Sequence, residues 1–343
     1  MRESWWVSRY PLIDITKADT PQGEQVVGMN PKVNNLIRSY RKAAHDIVWV
    51  LDSSVVTAPG TLARSVGALI GPPPSATGKS RRKIGLVHHV PFAFGSSGGK
   101  LGSRLEEAFL NTNHAKMYIA LNTIAIESCV VGKSNLYRRS DLDRVNGCLK
   151  PIPDSAQGGC QPGECGLAVF GRFLAEDNMI ASALWHELGQ RHDMSCDVAR
   201  NAVGHMTFSD YVWRRVRWLR VRKHMVLSAT ILEPFTESVI LGLILACSLW
   251  KVLGIPAWIT LPVHFLSFAY VDLDVYASLA GHPLPSSSRR SFLCAWIARE
   301  LLALPIWILA MCGNEVEWRG EKYQVLRDGE VKWTGRSHSP RAG

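Results

Sequence analysis

Ser238 to Trp250 and Val252 to Val271 contain no charged side chain, and the second run is about as long as a bilayer crossing requires. Ser291 to Gly313 is equally apolar apart from Arg299-Glu300, an adjacent ion pair that is costly in lipid unless protein surrounds it. Two to four membrane helices are therefore predicted near the C-terminus. Pro256 and Pro262 interrupt the second run, which predicts a kinked or re-entrant pair of helices. The overall composition, 47% hydrophobic, conceals a division: Met1 to His224 reads as globular, while Met225 to Cys312 is much more apolar. Several of the twelve Trp residues lie in or beside the apolar runs, where an indole can bury its ring and keep its N–H wet.

The charge is as unevenly placed as the hydrophobicity. Of a formal net charge of +10, Arg214, Arg215, Arg217, Arg220, Arg222 and Lys223 contribute six from one stretch just ahead of the apolar third. Such clusters mark the cytoplasmic side of a membrane and attract anionic head groups, so a lipid membrane is an expected partner. Zinc-finger spacing, an RNP-like aromatic motif and a basic repeat are all missing, which argues against nucleic acid. None of the eight cysteines forms a C-x-x-C pair, which argues against a zinc site. The first residues, MRESWWVSRYPLID, show no signal-peptide core, so anchoring is expected from the C-terminal end.

Strand and helix patterns alternate between about residues 30 and 200, the reading of an α/β domain. Val33, Leu36, Ile37 and Tyr40 share one helical face. The run Ile47-Val-Trp-Val-Leu51 reads as a strand buried on both faces of a parallel sheet. Thr61 to Ile70 is a predicted helix, Ile84 onward a strand, Arg104 to Asn113 a helix, and Cys129 to Gly132 a strand running into a turn. A helix over Leu174 to Leu188 opens at Glu176-Asp177, where carboxylates suit a helix start. A second, very basic helix spans Asp210 to Met225. Residues 71–82 and 149–166 are Pro/Gly-rich loops, and Trp318 to Val325 reads as a small hairpin.

Asp52 stands where an apolar strand ends, the edge at which open α/β sheets bind ligands. A carboxylate there can hold a divalent cation that neutralises a diphosphate, though Asp also commonly closes a turn. Asp177, with Glu176 beside it, is placed to take a proton from an attacking hydroxyl. Arg214-Arg-Val-Arg217-Trp218 fits [Q/R]-x-x-R-W. On a helix, 214, 217 and 218 share a face, offering two guanidiniums to a leaving diphosphate and a flat indole wall.

Taken in order, Asn30-Pro31-Lys32-Val-Asn34-Asn35, Trp49-Val-Leu-Asp52-Ser, Gly85-Leu-Val-His88, Leu105-Glu106-Glu107, His114-Ala-Lys-Met-Tyr118, Val131-Gly-Lys-Ser-Asn135, Ala175-Glu-Asp177 and Arg214-Arg-Val-Arg217-Trp218 resemble a fungal ceramide glucosyltransferase. That is a GT-A glycosyltransferase family related to families 21 and 2. The resemblance runs from about Gly28 to the C-terminal hairpin. It implies an inverting transfer of glucose from UDP-glucose to the primary hydroxyl of ceramide, with Mg2+ or Mn2+ as cofactor. It also implies a multi-pass Golgi membrane protein whose catalytic domain faces the cytosol. By carry-over, Asp52 fills the metal or nucleotide-sugar carboxylate position, Asp177 is the catalytic base with Glu176 beside it, Arg214, Arg217 and Trp218 bind the donor diphosphate, and His114 lines the acceptor site.

The implied fold is a partial GT-A (nucleotide-diphospho-sugar transferase) mixed-sheet domain followed by membrane helices. Its expected divisions are an irregular segment over 1–26, the catalytic domain over 27–226, membrane helices over 227–313 and a polar tail over 314–343. The family begins with a membrane helix, uridine-binding strands and an Asp-rich motif. The chain is expected to start after these, with its activity impaired, since neither Asp14 nor Asp19 has the surrounding pattern. Asp52-Ser53-Ser54 is not a D-x-D. A processive polysaccharide synthase shares the Glu-Asp and R-x-x-R-W signals, and a non-catalytic membrane pseudoenzyme is the third reading.

Overall fold

A computed structural model describes residues 25–71, 82–95, 99–152 and 164–336. Asp14, Asp19 and most of the two Pro/Gly-rich loops lie outside the described residues. In chain order the elements begin with helix α1 (Pro31–Lys42), strands β1 (Ile47–Leu51) and β2 (Val55–Val56), helix α2 (Thr61–Ile70) and strand β3 (Ile84–Gly95). Next come α3 (Leu101–Phe109), a π-helical turn (Leu110–His114), α4 (Ala115–Ile124), β4 (Ser134–Arg138) and α5 (Arg139–Leu142). A 3-10 turn (Leu167–Arg172) leads to α6 (Glu176–His186), β5 (Arg191–Val203), α7 (Phe208–Met225) and α8 (Leu227–Leu232). The chain ends with α9 (Ser238–Leu253), α10 (Ala257–Ala280), α11 (Ser286–Met311) and strands β6 (Glu315–Trp318), β7 (Glu321–Val325) and β8 (Val331–Arg336).

These elements form two compact units. The first comprises the described residues of Met1–Ser53, Ala58–His89 and Ile124–Asp197; the second comprises those of Ser54–Thr57, Val90–Thr123 and Val198–Gly343.

The first unit mixes helices and strands. Asn30 caps α1 by accepting from the backbone N–H groups of Lys32 and Val33, and Pro31 occupies the first turn where no N–H is needed. Strand β4 lies between β1 and the start of β3, antiparallel to both, with Trp49 opposite Leu136 and Leu136 opposite Val87. Leu69, Ile84, Val87 and Leu136 form its core, and Ile47, Trp49, Leu62 and Val66 pack against them. Two local features differ from the sequence expectation. Strand β1 is an edge strand paired antiparallel, and its residues are half-buried or exposed. Five apolar residues without a period fit an edge strand that packs one face as well as a central one. Residues 129–131 are not a strand: Lys133 N–H closes a tight turn on Val131 C=O at 2.8 Å.

The second unit is mostly helical. Its core joins Phe92, Leu105, Phe109, Tyr211, Leu219, Tyr276, Phe292 and Trp296. Helix α11, 26 residues long, is long and apolar enough to cross a membrane, and residues 229–236 with α9 form a second such segment bent by 65°. By length and composition that is one span, or two if the bent pair is a single span, against the two to four expected. Pro262 does not break the chain into a pair, because α10 runs through it as one helix. Lying in the second turn, the proline removes a single interior hydrogen bond.

Arg299 and Glu300 are 1% and 4% exposed, and protein does surround them. Arg299 pairs with Glu300 and, at 3.2 Å, with Glu237. The Ser238 hydroxyl donates to Glu300, Asn113 donates to Glu237, and Trp296 and Lys116 both reach Asp272. After α11, β6 turns into β7 through Arg319 and Gly320, both with positive φ as a two-residue hairpin turn requires. Strand β8 adds a third strand to the expected hairpin.

Candidate active site

In the first unit the chain brings Asp52, Glu176 and Asp177 together around a lysine. Asp52 follows β1, and its backbone N–H donates to Lys133 C=O at 3.1 Å. Its two carboxylate oxygens are taken by different ammonium groups, Lys32 at 3.3 Å and Lys133 at 3.0 Å. Burial alone would raise the Asp52 pKa, but the two lysines hold it below the ordinary carboxylate range.

Glu176 and Asp177 open α6, as expected from sequence. Glu176 is buried and engaged on both oxygens: Lys32 lies at 3.0 Å from one, and the Asn30 side-chain amide donates to the other at 2.7 Å. The same amide donates to Phe173 C=O at 2.6 Å, so the cap of α1 also fixes the approach to α6. Among the described residues Asp177 has no such ion pair. Its carboxyl is pushed up to about 7 by burial and then by the neighbouring Glu176, with Lys32 opposing. A carboxylate poised near neutrality, beside one neutralised by lysines, separates base from anchor.

Gly132 explains how the groups fit. A Cβ on it would stand 2.6 Å from Asp177 Oδ2 and 2.7 Å from Lys32 Nζ. Lys32 donates to Gly132 C=O at 2.9 Å, so the loop passes directly against the charged groups. Lys32, Lys133, Asn30 and Gly132 received no role from sequence, although Asn30-Pro31 is a legible helix start.

The second unit holds the remaining candidates. Arg214 donates from Nε to Glu106 Oε1 at 2.9 Å and lies over the Trp218 ring at 5.1 Å. Glu106 is 1% exposed and received no role from sequence; Arg215, read from sequence as part of the basic cluster, has its guanidinium over Phe109 at 3.4 Å. Arg217 reaches Glu317 C=O at 3.4 Å. Burial, then repulsion from Arg214, brings its pKa down to about 10, so two nearby cations are held by different partners. His114 ends the π-helical turn, a form often found at functional positions. It stacks on Tyr118 at 5.7 Å and stands 6.1 Å from Trp218. Burial, then Arg215 and Arg222, push its pKa down to about 3, so the ring is neutral. The buried Nδ1 has no hydrogen-bond partner among the described residues.

Residues 4–154 and 163–331 match the family model of glycosyl transferase family 21. The chain is 38% identical to the ceramide glucosyltransferase of Komagataella phaffii, over 94% of this chain and 73% of that protein. It is 33% identical to the ceramide glucosyltransferase of Candida albicans, over 94% of this chain and 77% of that one. Against the ceramide glucosyltransferase of Pyricularia oryzae it is also 33% identical, over 94% and 71%. The aligned regions include the helix-start carboxylates, the strand-end Asp52 and the Arg-x-x-Arg-Trp helix, and the chain belongs to glycosyl transferase family 21.

Proposed function

We propose that this glycosyltransferase moves glucose from UDP-glucose to the primary hydroxyl of ceramide, with inversion at the anomeric carbon. The observation that carries the reading is Asp177, a helix-start carboxylate whose pKa is pushed up to about 7. Such a group takes the proton of the ceramide hydroxyl as its oxygen forms a bond to the sugar C1. The bond from C1 to the diphosphate oxygen breaks with its electrons leaving on UDP. In the second unit we assign Arg214, Arg217 and Trp218 to the donor diphosphate, because cations and a flat ring suit that group. Neutral His114, with its Nδ1 unpartnered among the described residues, is assigned to the polar end of the acceptor.

The residues around Asp52 do not fit Mg2+ or Mn2+. Both of its oxygens face ammonium groups, and among the described residues no three His, Cys, Asp or Glu side chains gather as a metal site. No step here therefore runs through a cation. Helix α11 and the basic run ahead of the apolar segments support residence in a membrane. A multi-pass topology, a Golgi location and a cytosol-facing catalytic domain complete the proposal.

The test is UDP-glucose with ceramide in lipid nanodiscs, comparing the wild-type chain with Asp177→Asn. Loss of the general base lowers turnover by about 10²- to 10⁴-fold. Equal turnover by both removes Asp177 from the mechanism. A sugar polymer formed without lipid acceptor points instead to a processive synthase.

A further inference from the structure

We infer that Lys32 is a positioning residue for the transfer, holding the start of α6, and with it Asp177, against the end of β1 and the Gly132 loop. The inference rests on the proposed role of Asp177 and adds a residue to it. An ammonium has three protons to donate. Those of Lys32 face Glu176 Oε1 at 3.0 Å, Gly132 C=O at 2.9 Å and Asp52 Oδ1 at 3.3 Å. Its donors are thus spent on three separate chain segments, leaving none directed at a substrate.

The arrangement on the far side of Glu176 points the same way. Asn30, two residues before Lys32, donates to the other Glu176 oxygen and caps the helix that carries Lys32. The first turn of α1 therefore grips the Glu176 carboxylate from both sides, and Asp177 is the next residue along. Gly132 contributes the missing Cβ, since the point where one would stand is 2.7 Å from Lys32 Nζ and 2.6 Å from Asp177 Oδ2. The lysine and the base thus face each other across a glycine. Merely neutralising Asp52 would not need this grip, because Lys133 already pairs with it at 3.0 Å.

The experiment measures kcat and KM for the 343-residue chain in nanodiscs, wild type against Lys32→Ala, with and without added ethylammonium. With the anchor gone, kcat falls by about 100-fold, the scale of a misplaced catalytic group, while KM for UDP-glucose and ceramide stays within about threefold. Lys32 is 24% exposed, so a small ammonium can enter and restores at least about tenfold of the lost kcat. If Lys32→Ala does not fold, as judged by circular dichroism, Lys32→Gln is measured for the same kcat loss at unchanged KM. A kcat within threefold of wild type overturns the inference while leaving Asp177 as base, provided Asp177→Asn is inactive in the same assay. A loss in a folded variant that falls mainly on KM and is not rescued also overturns it. A wild-type chain that transfers no glucose overturns both.

Discussion

Gly132→Ala is the smallest change that reaches the site without altering a charge. The φ of Gly132 lies outside the left-handed region, so alanine meets no backbone strain there. Its methyl would stand 2.6 Å from Asp177 Oδ2, whereas ordinary contact begins at 3.4 Å. The atoms it meets are the ends of side chains, so the backbone can stay in place while the carboxylate withdraws by about 0.8 Å. A displacement of about 1 Å at a reacting centre costs on the order of 100-fold in rate. The expected loss in kcat is therefore roughly 30- to 100-fold, equivalent to about 2 to 3 kcal/mol of barrier. The assay is glucosylceramide formation in nanodiscs at saturating substrates, alongside a melting curve. A loss of kcat at an unchanged melting temperature is the expected result. Wild-type kcat would refute the reasoning, because the Asp177 oxygen that faces Gly132 could not then be the one that reacts.

Three further outcomes follow from buried charge. Asp177 must be ionised to act as base, and its pKa near 7 makes kcat/KM rise roughly tenfold between pH 6 and pH 8; a flat profile over that range would exclude it. The sign for stability is opposite: a carboxyl with a raised native pKa stabilises the fold below its unfolded value and loses that contribution as pH climbs through 7. Asp177→Asn should accordingly melt higher than wild type at pH 8. In the second unit, Arg299→Met leaves Glu237, Glu300 and Asp272 facing one another without their shared cation. Breaking a buried pair in this way costs about 3 to 5 kcal/mol, measurable as a lower midpoint in a detergent unfolding series; an unchanged midpoint would mean the cluster carries no net stabilisation.

The elements that sequence located well are those whose signal is local. Helix α2 begins and ends where predicted, at Thr61 and Ile70, and α7 is extended by only two residues at its start. Asp210 there caps reciprocally with Thr207, a short-range arrangement that a sequence window contains whole. The errors lie where the deciding partner is remote. Whether Ile47 to Leu51 has one neighbour or two depends on a strand more than eighty residues away. Whether Arg299 and Glu300 are tolerable depends on Glu237, Ser238 and Lys116, none of which is near them in the chain.

The same distinction divides the site residues. Asp52 could be found because it ends an apolar run, and Asp177 because it starts a helix; both positions are read from immediate neighbours. Lys32 could not, since a lysine in the first turn of an amphipathic helix ordinarily extends into solvent. Two sequence facts nonetheless bear on it. Asn30-Pro31 fixes the start of α1, which puts Lys32 at the second helical position. Side chains on a helix tilt toward its N-terminus, so a long residue there reaches past the helix end instead of along its flank. That end is where the loop at Gly132 and the start of α6 converge. What the sequence lacked was only which segments would be waiting there, and the chain settles that by giving the lysine two carboxylates and a glycine to meet.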